Sequence, residues 1–104
     1  MAWFYLFIAG IFEVFWAIAL KYSYGFTKLI PSVATIIGMI ISFYFLALAT
    51  KQLPLGTAYA IWTGIGSLGT ILLGIFLFHE PVSLIRFFFL FCLIVGILGL
   101  KLTA

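Results

Sequence analysis

Four long apolar runs alternate along the chain with short polar or helix-breaking links. The runs are Trp3–Leu20, Leu29–Ala49, Thr57–Phe78 and Leu84–Leu100. The links are "KYSYGFTK" with Gly25, "TKQLPLG" with Pro54 and Gly56, and "HEPVS" with Pro81. Each run is close to the ~20 residues that a helix needs to cross ~30 Å of hydrocarbon. Strands of a membrane barrel would alternate in polarity over ~10-residue segments, and these runs do not. The pattern predicts an all-α membrane protein, a single domain over residues 1–104. Its four transmembrane helices fall at roughly 3–20, 29–49, 57–78 and 84–100. Almost nothing is left outside the bilayer, so there is no room for a soluble catalytic domain.

Composition agrees with this reading. The chain is 67% hydrophobic and 7% charged, against about 45–50% and about 25% for soluble domains. The first run lacks the basic start and small-residue cleavage site of a signal peptide and holds an acid at its middle, so it belongs with the mature helices. The lone Cys92 has no intrachain partner and no metal ligands nearby, so no disulfide, metal or other cofactor is expected. The net charge of +3 is spread thinly and forms no patch of the kind nucleic acid needs. With four spans, the termini share a side with the second loop. That side carries Lys51 and Lys101, and the other carries Lys21, Lys28 and Arg86. The positive-inside rule needs an imbalance to choose a direction, and here there is almost none. Such a chain is free to insert both ways.

One carboxylate breaks the first run. In "AGIFEVFWAIAL", Glu13 stands among uncharged residues. On a helix it shares a face with Leu6, Gly10, Ala17 and Leu20, with Trp16 at the border. Gly10, one turn earlier, removes side-chain bulk and leaves a notch beside the acid. An acid at mid-membrane costs about 2.5–3.5 kcal/mol on insertion scales. A structural acid would be paired to a buried base, yet no Lys, Arg or His lies in any helix centre. Unpaired intramembrane acids mark ion pathways.

The other runs supply polar companions. Ser42, near the middle of the second run, is placed either to hydrogen-bond a carboxylate or to bond its own backbone. Tyr59, Trp62, Thr63, Gly66 and Thr70 share one face of the third. Tyr59 is near enough to the helix start to belong to an interfacial belt. Trp62 lies deeper and fits the wall of an aqueous pocket. The glycines of "TGIGSLG" permit close packing or bending. In the fourth run Cys92, Gly96 and Gly99 form a small-residue stripe. It suits a dimer contact or packing on another helix of the same chain. Lys21, Lys28 and Lys101 sit at helix ends, where they snorkel to the headgroups. His79 and Glu80 read as solvated loop residues.

A single buried acid without base, metal or nucleophile can bind a proton or a cation. The two exclude each other there. Alternating access to the two sides would turn that exclusion into cation/proton antiport, and aromatic walls from Trp16, Tyr59 and Trp62 suit a cation. Transporters commonly place such a site between inverted repeats. No internal repeat is present, but two oppositely inserted copies would supply that symmetry.

The Glu13 segment, "KYSYGFTKLIPS" and "PLGTAYAIWTGIG" together resemble the small multidrug resistance family over essentially the whole chain. Within it, "GIFEVFWAIALK", Ser42 and "HEP" resemble the guanidinium exporter subtype. The drug-exporting subtype generally lacks the tryptophan three residues after the acid. The resemblance implies an antiparallel, dual-topology homodimer of four-helix subunits in a bacterial cell (inner) membrane, exporting guanidinium against protons. It further implies that Glu13 of both subunits lines one site, within a network of Gly10, Trp16, Ser42, Tyr59 and Trp62. Lys101 matches a lysine at the end of the fourth helix. Three other readings compete. A multidrug exporter of aromatic or quaternary ammonium cations would share fold and mechanism. A proton-carrying rotor subunit would form a ring, against which the aromatics near Glu13 argue. A structural subunit would tolerate loss of the acid.

Overall fold

The computed structural model describes residues 2–103. It contains four helices, one for each apolar run: α1 (Ala2–Tyr22), α2 (Leu29–Thr50), α3 (Leu55–Leu77) and α4 (Leu84–Thr103). They extend the runs outward by a few residues, except that α3 stops at Leu77 rather than Phe78. All four are long and apolar enough to span a bilayer, and the chain is a multi-pass membrane protein.

The links end the helices for identifiable reasons. The hydroxyl of Ser23 donates to the Leu20 carbonyl at 2.7 Å and accepts the Phe26 N–H at 3.1 Å. Tyr24, Gly25 and Phe26 then adopt φ of 48°, 73° and 66°, a left-handed run that cannot continue a right-handed helix. Ser23 is fully buried, so this turn is fastened to the body of the protein. Pro31 falls in the first turn of α2, where an N–H would have no intrahelical acceptor. Pro54 precedes α3, and His79, at φ 52°, turns the chain after it.

Inside lipid no hydrophobic drive brings helices together, so close approach at small residues has to do it. α1 is the hub, packed against both α2 and α3. At Gly38 of α2, a Cβ would lie 2.7 Å from the Phe15 ring and 2.9 Å from Trp16. Gly10 of α1 takes the Ile65 side chain of α3 into the same kind of space. Among the described residues α4 brings its backbone close to α3 alone. It does so through Leu93 and Ile97, which cover Gly64, and it buries only Leu90. The stripe of Cys92, Gly96 and Gly99 lies outside that face. Cys92 is exposed, and Cβ atoms added at Gly96 or Gly99 would meet open space. The result is a slab of 41 × 35 × 16 Å, too thin to enclose a pore.

If Gly38 is what lets α1 and α2 meet, Gly38→Val should cost about 1–3 kcal/mol. Gly56→Ala, where nothing lies within 4 Å, should stay within about 0.5 kcal/mol of the native chain. Denaturant unfolding of the purified protein compares them, and equal midpoints would rule out the tight α1–α2 contact.

Candidate functional site

Glu13 points from α1 toward α3. The position opposite is Gly66, where a Cβ would overlap the Glu13 carboxylate. Gly66 is therefore what lets the acid lie between the two helices. The carboxylate Oε1 is buried and accepts no hydrogen bond. Two donors nearby in sequence or fold share its isolation: Trp16 Nε1 and Thr63 Oγ1 are also buried and without partners. On its open side Glu13 borders a cleft of about 340 Å³, shared with Ala17, Gly66, Ser67, Thr70 and Ile71. Two larger cavities carry no carboxylate. One, of about 660 Å³, is lined by Val14, Phe15, Leu72 and other apolar residues. The other, of about 670 Å³, is formed by Leu84 to Phe91 on the outside of α4. Of these three, only the smaller cleft has a carboxylate in its wall.

Ser42 and Trp62 form one unit. The indole Nε1 of Trp62 donates to Ser42 Oγ at 2.9 Å, and Ser42 Oγ donates to the Ala9 carbonyl at 2.7 Å. A serine has a single proton to give, and here it goes to α1. It reaches neither a carboxylate nor its own helix, the two outcomes its sequence position suggested. The carbonyl of Ala9 is also the one to which the Glu13 N–H is directed by helix geometry. Ser42 thus grips the turn of α1 that carries the acid. Trp62 is buried in the core with Leu6, Ala9, Ala49, Ala58 and Ile61. It stands between Phe43 and Tyr59, with ring centroids 5.6 and 5.5 Å away. Within one chain it is therefore a core residue rather than an open wall, because Ser42 satisfies its only polar atom. Tyr59 is exposed.

The remaining expected residues are dispersed. Gly10 is filled by Ile65 and offers no notch; the space beside the acid comes from Gly66 instead. The Lys101 ammonium lies 5.6 Å from the centroid of the Trp3 ring, joining the end of α4 to the start of α1. Cys92, Gly96 and Gly99 are remote from the cleft on the free face of α4. The sequence places Gly66 and Thr70 on a shared face with Trp62 and gives Gly66 a part in close packing or bending, but Thr70 and Ser67 carry no expected role there. The available signal was their spacing, since Gly66, Ser67 and Thr70 recur at helical intervals toward one side of α3.

A sequence profile of the family described as small multidrug resistance protein matches residues 1–94. A guanidinium exporter of Yersinia pestis is 55% identical over 104 residues, covering 100% of each chain. One from Proteus vulgaris is 51% identical over 104 residues, again 100% of each. One from Salmonella typhi is 52% identical over 104 residues, covering 100% of this chain and 99% of that one.

The chain of bonds through Ser42 makes a thermodynamic prediction. Ser42→Ala strands the buried Trp62 N–H and should cost about 1–3 kcal/mol. In Ser42→Ala with Trp62→Phe, no donor is stranded, so the double change should cost less than the sum of the two single ones. Unfolding midpoints of the four proteins test this, and strict additivity would exclude the bond as a coupled unit.

Proposed function

The chain belongs to the small multidrug resistance family of membrane transporters, and from that membership we propose that it exports guanidinium and small guanidinyl cations in exchange for protons. One observation carries the reading: a mid-helix carboxylate with a buried, unpartnered oxygen borders an open, hydroxyl-bearing cleft. That acid takes either a proton or a cation, so occupancy by one empties it of the other. Guanidinium is planar, and its N–H groups match carboxylate oxygens in a fork. Ser67 and Thr70 offer further acceptors. The names of the full-length relatives support this cation over large aromatic ones.

The working unit in this reading is an antiparallel homodimer in a bacterial inner membrane. A 16 Å slab supplies one wall of a cavity, and an inverted second copy supplies the other. Both Glu13 carboxylates then face one site, with Gly10, Trp16, Ser42, Tyr59 and Trp62 around them. The unpartnered Trp16 N–H and the exposed Tyr59 ring become available to substrate or to the facing subunit. The bare glycines of α4 offer the second subunit a close contact. Lys101, held over Trp3, anchors the helix ends.

Glu13→Gln should still fold and dimerise, but guanidinium-driven proton movement into proteoliposomes should drop to the level of protein-free vesicles. Retained exchange would remove Glu13 from the mechanism. Guanidinium binding to the native dimer should weaken as pH falls, because protonation removes the charge that holds the cation. The limit is about tenfold per pH unit for each competing proton. Equilibrium titrations across a pH series measure the slope, and a flat profile contradicts competition at the acid. Reporters fused to the C-terminus should appear on both sides of the membrane. If all lie on one side, the antiparallel arrangement is wrong.

A further inference from the structure

Glu80 is the only acid in the chain besides Glu13, and proton exchange at Glu13 leaves it unused. Its sequence position suggests nothing more than a solvated loop residue. The fold gives it a defined place. The Phe78 N–H donates to the Gly74 carbonyl at 2.9 Å, closing α3. His79 then turns the chain back at φ 52°, and the Glu80 N–H reaches the same Gly74 carbonyl at 3.4 Å. The Glu80 side chain folds over the last turn of α3. Its carboxylate occupies the space beside Gly74 that a Cβ would take. An acid at a helix C-terminus is electrostatically misplaced, because the terminal carbonyls already present negative potential. The carboxylate and the terminal carbonyls together make a corner that favours a cation.

The corner lies beside the Glu13 cleft. A cavity of about 180 Å³ is lined by Glu80, Lys21, Gly74 and Phe78, and also by Ala17 and Thr70. Ala17 and Thr70 line the Glu13 cleft as well. With Ala17 and Thr70 as their common wall, the two spaces are therefore neighbours along the α1–α3 groove. Along α1 it passes Glu13, Ala17 and Lys21, spaced by four residues, and along α3 it passes Gly66, Thr70 and Gly74. The outer end is otherwise positive: Lys21, Lys28 and Arg86 share that side of the membrane in a four-span chain. Glu80 is the one acidic side chain on this side of the chain. The Lys21 ammonium, 5.8 Å from the centroid of the Phe78 ring, is the resident charge that a visitor displaces.

We propose that Glu80 is an outer cation-binding station at the mouth of the α1–α3 groove, where guanidinium is held before passing Thr70 to Glu13. The proposal rests on the reading of Glu13 as the substrate acid. It assigns Glu80 to capture and release, not to coupling. Its mark is therefore on the rate at low substrate and not on the final affinity.

The test uses the full-length chain in proteoliposomes, with guanidinium as substrate. Glu80→Gln should lower kcat/KM about tenfold at low ionic strength, through lost steering. It should change kcat, and equilibrium guanidinium affinity in detergent, by less than about twofold, small against that steering loss. The difference should vanish near 1 M salt, where the screening length is about 3 Å. Gly74→Ala keeps every charge but displaces the carboxylate, and should act in the same direction. Lys21→Met removes the competing cation, and should raise kcat/KM. Native kcat/KM in Glu80→Gln overturns the proposal. So does an equal fall in kcat and affinity, which would mean a structural role. If the native chain itself moves no guanidinium, the exchange reading falls and the outer station falls with it. Exchange by the native chain with no effect of Glu80→Gln removes the station alone.

Discussion

A carboxylate in hydrocarbon is expensive, and the rest of the fold is arranged around keeping one there. Glu13 has no buried base to neutralise it, so it needs space, a polar border and a firmly held backbone. Gly66 supplies the space by omission of a side chain. Ser67 and Thr70 supply the border. The backbone is held from the other side of α1, where Ser42 bonds the Ala9 carbonyl one turn before the acid. α1 can be gripped from two sides because α2 and α3 approach it closely at glycines. The same small residues that replace a hydrophobic drive for assembly thus create the site.

The division of labour among polar residues follows from their donor count. Trp62 has one N–H and gives it to Ser42. Ser42 has one O–H and gives it to α1. Neither keeps a proton for substrate within a single chain, so both act on the acid through its backbone. The polar groups left open are those on the outer side of the α1–α3 cleft, where Ser67 and Thr70 stand beside Glu13. The groove runs from the bilayer interior toward the link between α3 and α4, so the second acid of the chain is part of the same surface as the first.

Much of this was legible in the sequence. Four spans follow from run length alone, because backbone groups in lipid leave few alternatives to a helix of ~20 residues. Glu13 stands out because a lone charge in such a run demands a reason. What the sequence does not carry is the register between helices. Gly10 was expected to open a notch because it neighbours Glu13 on α1, yet Ile65 of α3 fills it, and Gly66 provides the room. The target of Ser42 was equally out of reach, since the Ala9 carbonyl lies on another helix. On α4, the choice between a contact within the chain and a free stripe is decided by Leu93 and Ile97 covering Gly64. Glu80 is solvent-exposed, as a loop residue should be, but nothing in "HEPVS" reveals that His79 reverses the chain over Gly74.

The thinness of the slab bears on the cell's energy economy during biosynthesis. A body 16 Å deep has no lumen, so a newly inserted chain holds no column of water from one face of the bilayer to the other. On the antiparallel dimer proposed above, a subunit still without its mate would give the proton gradient no passage. In that proposal permeation would begin only with assembly, and geometry would protect the membrane before any regulation of transport.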